Sequence, residues 1–346
     1  MKTFYTAQHS AHVPLQEFEA GRMTPAVEIP ERVEAVRSRI VSRGLGPILA
    51  PSEFTSAPAL RVHDPAFVAF LKSAYARWAD MHPNIDAIPS VFSPQVLGFR
   101  HSDGLLREDV LAQLGRYCFD TGTPLTKGSW SAALAAVNTA LSAARAVGNG
   151  EGAAFALTRP PGHHASTTLF GGYCYLNNVA IAAQFLVDHG ARCAIIDVDY
   201  HHGNGTQDIF YARNDVLFVS LHADPAFAYP VYWGFAEETG QEQGEGFNLN
   251  LPLPVATDWQ GYSEALGTAI TRISAFSPDV LLVSLGLDTF ALDPICRFRL
   301  QSADYLRLGE AIAQLNQPTV FVFEGGYDLA HLAENTVNVL EGFIGA

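Results

Sequence analysis

The sequence is short of cysteine, of positive charge and of long apolar runs, and each shortage removes a class of protein. Its four cysteines, Cys118, Cys174, Cys193 and Cys296, are spread through 346 residues. None sits in a C-x-x-C pair, which argues against a disulfide framework and against a cysteine-rich zinc site, and predicts four reduced thiols. Lysine and arginine number 21 against 35 aspartates and glutamates, for a formal net charge of −14. Phosphate binding needs basic patches, so nucleic acid is not an expected partner. No apolar run approaches the roughly 18 residues that span a bilayer, so no membrane contact is expected. The N-terminus, MKTFYTAQHSAHV, has no apolar core of a secretory signal, and the expected location is the cytoplasm. Internal repeats and low-complexity tracts are also missing.

What is present is apolar material, 48% of the chain, enough for a large buried core. An acidic surface would attract cationic substrates, although the same charge also serves solubility alone. Short runs rich in Val, Ile, Leu and Phe read as strands covered on both faces: 153–157, 193–198, 216–221, 280–285 and 319–323. Helical patterns lie between them at 131–146, 176–189, 260–275, 303–315 and 329–344, with Gly190 closing the second. This alternation predicts an α/β fold with a parallel sheet sandwiched between helices, in a single domain over 1–346. Two stretches break the rhythm. Residues 80–106 carry Pro83, Pro89 and Pro94 and read as an insertion loop with a functional or interface role, and 222–257 reads as a second long loop.

The chemistry gathers at strand ends. The run Ile195-Ile196-Asp197-Val198-Asp199-Tyr200-His201-His202-Gly203-Asn204-Gly205 takes an apolar strand straight into acids and histidines. Ligands bind at the carboxyl ends of parallel strands. Asp199 and His201 are two residues apart and face the same way on an extended chain. A carboxylate with an imidazole suits zinc, with Fe2+, Co2+ or Mn2+ fitting the same ligands. Asp288, after the strand 280–285, would alone pass for a helix cap, but as a partner it completes an Asp2His site with an open position. Arg159-Pro160-Pro161-Gly162-His163-His164-Ala165 sets paired histidines in a stiff loop. These suit the general base and acid for water and a leaving amine, with Asp197 and Asn204 available to orient them. Phe323-Glu324-Gly325-Gly326-Tyr327 brings a phenol toward the same region, where it could donate to a developing oxyanion. Taken alone, a plain turn with a packing tyrosine is the better account of that motif.

Together with Arg61–Asp64 (RVHD) and Phe170–Asn178 (FGGYCYLNN), these motifs make the chain resemble, over nearly its whole length, the acetylpolyamine amidohydrolase family of the arginase–deacetylase superfamily, which includes the histone deacetylases. The resemblance implies a zinc-dependent amidohydrolase that removes the acetyl group from small cationic amines, giving acetate and free polyamine. It implies zinc on Asp199, His201 and Asp288, and potassium near Asp197, Asp199, His201, Ser220 and Leu221. His164 would be general base and acid, paired with Asn204, with His163 as its electrostatic companion paired with Asp197. Tyr327 would polarise the acetyl carbonyl. Gly172, Tyr173 and Tyr229 would wall the substrate tunnel. The segment Gln16–Gly21 would be an entrance loop from which Glu17 meets a distal ammonium. The Trp78 region and loop 80–106 would build a homodimer. Departures from the family pattern are Val27, where an aromatic can stand, and Leu111–Gly122, with Asp120 its one acid and Glu108 and Asp109 just before it. These bear on the preferred polyamine length and leave the zinc chemistry untouched. The alternatives are deacetylation of acetyl-lysine or other small amides on the same centre, an arginase-like ureohydrolase with two manganese ions, and a catalytically inert acetylamine sensor. Val198 and Tyr200 between the ligands, with Tyr327, favour the mononuclear pattern.

Overall fold

The computed structural model describes residues 1–19, 21–93 and 109–346. In chain order the strands are β1 (Lys2–Phe4), β2 (Gln16–Glu19), β3 (Arg22–Pro25), β4 (Ile48–Leu49), β5 (Ala153–Ala156), β6 (Cys193–Asp197), β7 (Val216–Ala223), β8 (Asn248–Leu253), β9 (Val280–Leu285) and β10 (Thr319–Phe323). The helices are α1 (Glu31–Arg43), α2 (Pro65–Ala79), α3 (Val110–Tyr117), α4 (Ser129–Gly148), α5 (Asn178–Asp188), α6 (Asn204–Phe210), α7 (Trp259–Phe276), α8 (Ser302–Ala313) and α9 (Leu332–Gly345).

Eight of the strands form one parallel sheet in the order β4-β1-β5-β10-β9-β6-β7-β8. Its central strands are apolar over most of their length because both faces are covered. Successive side chains point to opposite sides, so Ile195, Phe218, Leu282, Val320 and Val322 join one core, with α2 to α5. Ala194, Ile196, Leu217, Val219, Leu281, Val283, Phe321 and Phe323 join the other, with α1 and α7 to α9. The five strands expected from the sequence are all in this sheet. β5 and β6 stop one residue short of expectation and β7 runs two further, to Ala223.

The structure corrects two loop expectations. Residues 222–257 are not all loop, because β8 lies within them at the sheet edge. Its Asn-Leu-Asn-Leu alternation differs from a buried strand for a physical reason: the Asn248 and Asn250 amides donate to Gln207 Oε1 at 2.9 and 2.8 Å, below the end of β7. Gln16–Glu19 of the entrance segment likewise forms β2, paired antiparallel with β3, Gln16 with Pro25 and Glu17 with Thr24. Ala20 of that segment, residues 94–106 of the insertion loop and Glu108 lie outside the described residues. In the described part of the insertion, Trp78 Nε1 donates to the Ile85 carbonyl at 2.8 Å, and Ala87 pairs with Leu125. No helix of the described residues is long and apolar enough to cross a membrane.

The sheet order positions the site. β5, β10, β9 and β6 are consecutive neighbours, so the four motif-bearing strand ends emerge side by side at one edge.

Candidate active site

The carboxyl end of β6 curls through its own side chains. Asp197 Oδ1 accepts the Asp199 N–H at 3.1 Å, and Asp199 Oδ1 accepts the His201 N–H at 2.9 Å. Asp288, on the turn after β9, accepts the Tyr200 N–H at 2.8 Å. These bonds bring two carboxylates and one imidazole together. His201 Nδ1 lies 3.3 Å from Asp199 Oδ1 and 3.0 Å from Asp288 Oδ2, and ligand atoms of the three residues all fall within 4.8 Å of one another. Both aspartates are fully buried. The approach is close enough to require glycine at two neighbours: a Cβ on Gly286 would strike Asp199, and one on Gly325 would strike Asp199 and Asp288. Two buried carboxylates and a partly buried imidazole, with Asp199 and His201 facing a cavity, fit a zinc-type divalent ion. Burial pushes Asp199 upward, but the facing His163 and His201 hold it well below the usual carboxylate range. Burial and the charge of Asp199 raise Asp288 to about 6. Burial works against charge on His201, yet its two carboxylate partners lift it to about 9.

The loop after β5 supplies the paired histidines. His163 Nδ1 meets Asp197 Oδ2 at 2.9 Å, and His164 Nδ1 meets Asn204 Oδ1 at 2.7 Å. Both acceptors are oxygens, so each Nδ1 carries the proton. In a neutral His164, Nε2 is then a free base. The two rings lie 4.0 Å apart between centroids. Burial opposes charge on His163, but Asp197 and Asp199 overcome it and raise this histidine to about 10. His164 has an amide behind it. Burial, with cationic His163 and His201 beside it, pushes it well below its ordinary value. The geometry thus separates a charged imidazole from a neutral one.

Tyr327 completes the cluster from β10. Its ring packs edge-on against Tyr173 at 5.7 Å, and the Arg32 guanidinium lies 4.6 Å from its centroid. Sequence reasoning missed Arg32, Glu324 and Asp293. Arg32 donates to the carbonyls of Gly326 and Glu324, both at 2.6 Å, and pairs with buried Glu28, which also holds Arg159. The Glu324 carboxylate accepts the N–H groups of Gly162 and His163 at 2.6 and 3.3 Å, tying the histidine loop to β10. Such groups act on backbone atoms, for which sequence carries no motif.

His163, His164, Asp199, His201 and Tyr327 line a cavity of about 370 Å3 together with Glu17, Phe18, Asp120, Phe227 and Tyr229. Tyr229 stands edge-on to His164 at 5.1 Å, and its hydroxyl donates to Asp120 at 2.8 Å. Asp120 also accepts the Gly172 N–H at 2.6 Å. Gly172 has φ +56°, and a Cβ there would strike the His164 ring. Glu17, 4% exposed, is no solvated turn residue, and the Tyr173 hydroxyl donates to it at 3.2 Å. Ser220 and Leu221 do not reach the cavity. They lie on β7, where Ser220 is in register with Asp197.

The chain is similar to known proteins. Residues 26–343 match the family described as histone deacetylase domain. The chain is 46% identical to acetylpolyamine amidohydrolase 1 of Pseudomonas aeruginosa, over 100% of this chain and 99% of that one. It is 41% identical to the acetylpolyamine amidohydrolase of Mycoplana ramosa, over 100% of each. The crystal structure of the acetylpolyamine aminohydrolase from Burkholderia pseudomallei superposes with a TM-score of 0.94 at 39% identity, covering 99% of this chain and 98% of that one.

Proposed function

This chain belongs to the histone deacetylase domain family, and from that membership we propose that it is an amidohydrolase that removes acetyl groups from acetylated polyamines, giving acetate and free amine. One observation carries the reading: the paired histidines, Asp199 and His201 of the Asp199–His201–Asp288 cluster, and Tyr327 line a single cavity that the buried Glu17 also lines.

Asp199, His201 and Asp288 would hold the divalent ion, zinc or else Fe2+ or Co2+, which when bound supplies a Lewis acid for the acetyl carbonyl and an acidified water. The protein's own groups do the rest. His164 Nε2 takes the proton of the attacking water and delivers it to the departing amine nitrogen. His163 keeps its positive charge against Asp197 and stabilises negative charge growing nearby. The Tyr327 hydroxyl donates to the carbonyl oxygen as it becomes an oxyanion. Gly172 lets the backbone pass close to His164, and Tyr173 and Tyr229 flank an extended methylene chain. Glu17 meets a distal ammonium, an interaction strengthened where water is excluded. Potassium near Asp197, Ser220 and Leu221, a homodimer formed through loop 80–106 and a cytoplasmic location belong to the same reading.

Acetate release from acetylputrescine, acetylcadaverine and acetylspermidine, measured beside an acetyl-lysine peptide, tests the substrate. The polyamine derivatives are expected to have the higher kcat/KM, and a clear preference for the peptide would transfer the same centre to lysine deacetylation.

A further inference from the structure

We infer that Asp293 is a positioning residue for Tyr327, acting through the backbone of the turn that carries the phenol. The inference rests on the role proposed above for Tyr327. Asp293 follows β9, is 6% exposed and is not part of the cavity lining. Its Oδ2 accepts the N–H of Tyr327 at 2.6 Å and that of Asp328 at 3.3 Å, while Oδ1 accepts the Ile295 N–H at 3.1 Å. These partners are all backbone donors. A carboxylate buried on such terms is costly to keep, and burial together with nearby Asp288 pushes it up to about 7.

The rest of the turn is anchored elsewhere. The Gly325 N–H donates to Asp199 at 2.9 Å, the Gly325 carbonyl accepts from Leu287 at 3.1 Å, and the Gly326 carbonyl accepts from Arg32. Gly326 itself has φ +118°, a conformation with little intrinsic preference to hold the next residue. Among the described residues, the Tyr327 and Asp328 amides donate to Asp293 alone. Asp293 therefore closes the turn on the far side of its two glycines and sets where the phenol stands. A catalytic group displaced by about 1 Å can lose roughly 100-fold in rate.

The test is a double-mutant cycle on the metal-loaded enzyme with acetylputrescine. Asp293→Ala, Asp293→Asn, Tyr327→Phe and both double variants are compared for kcat, KM, metal content and Tm. Asp293→Ala is expected to lower kcat by roughly 10- to 100-fold, with KM and metal content unchanged. Asp293→Asn is expected to lose several-fold, since its amide oxygen still accepts one N–H. On the Tyr327→Phe background neither change should lower kcat further by more than about twofold, because residues acting as one unit are non-additive. If Asp293→Ala does not fold, the Asn pair decides the matter. Losses that multiply with Tyr327→Phe, losses that track metal content, or wild-type turnover by Asp293→Asn overturn the inference and leave Tyr327 in its role. Near-normal turnover by Tyr327→Phe alone overturns both.

Discussion

His164 has an amide oxygen behind its Nδ1 where His163 has a carboxylate, and that difference divides the labour of the two rings. In the proposed mechanism the neutral ring is the proton carrier, so His164→Ala should abolish acetate release while metal content on purification stays at the wild-type level. Tyr327→Phe removes the proposed oxyanion donor, and a loss of roughly 100- to 1,000-fold in kcat is expected with fold and metal intact. Asp288→Ala takes one of the three proposed ligands and leaves His201 beside a single carboxylate. It should greatly weaken zinc binding, and stoichiometric zinc in the purified variant would remove Asp288 from the ligand set. At this scale the acids and histidines were readable because ionisable groups at the end of an apolar strand are expensive unless they have a purpose. Glu324, Asp293 and Arg32 were not, since, apart from the Glu28 carboxylate beside Arg32, their partners are peptide groups that every residue possesses.

Among the elements, the central strands were legible and the peripheral ones were not. A strand covered on both faces is apolar over most of its length, as in β6 and β9, whereas β8 at the edge alternates and β1 and β4 are too short to show any period. α2 had a signal, the Asp64 side chain capping the Ala66 and Phe67 N–H groups with Pro65 in the first turn, but no strand beside it called attention to it. α5 links element and site. The Asn177 side chain caps the Ala180 N–H at 2.9 Å and also donates to the carbonyl of Ala165, next to the histidine pair, at 2.9 Å. Asn177→Ala should cost about 2 kcal/mol, the sum expected from a lost cap and an unpaired buried carbonyl, and should lower Tm and kcat together. A fall in Tm with unaltered kcat would show that the helix start and the histidine loop are independent.

The whole molecule buries neutral histidines away from the site. His63 accepts the Asn177 N–H at Nε2 at 2.9 Å and presents Nδ1 to the Ser166 carbonyl at 2.8 Å, so only the neutral ring satisfies both bonds. Burial lowers it to about 4, and burial with nearby Arg159 lowers His12 to about 3. An unfolded histidine titrates near 6.5. Between that value and the folded ones the unfolded chain binds more protons at these two rings, so their contribution to stability is constant above about pH 6.5 and declines as pH falls toward 4, by up to about 1.4 kcal/mol per unit for each ring. Urea unfolding at pH 7.5, 6 and 5 checks this, and equal stabilities would contradict it. The proposed homodimer is checked by light scattering at several concentrations. The sequence by itself determined the class of fold and the kinds of chemical group at each strand end, because periodicity and residue type are local properties. Only the tertiary structure decided that those ends are neighbours, that Glu17 is buried against Tyr173, and that Asp293 and Glu324 brace the loops. Strand order and backbone hydrogen bonding join residues remote in the chain, and no local pattern encodes such a meeting.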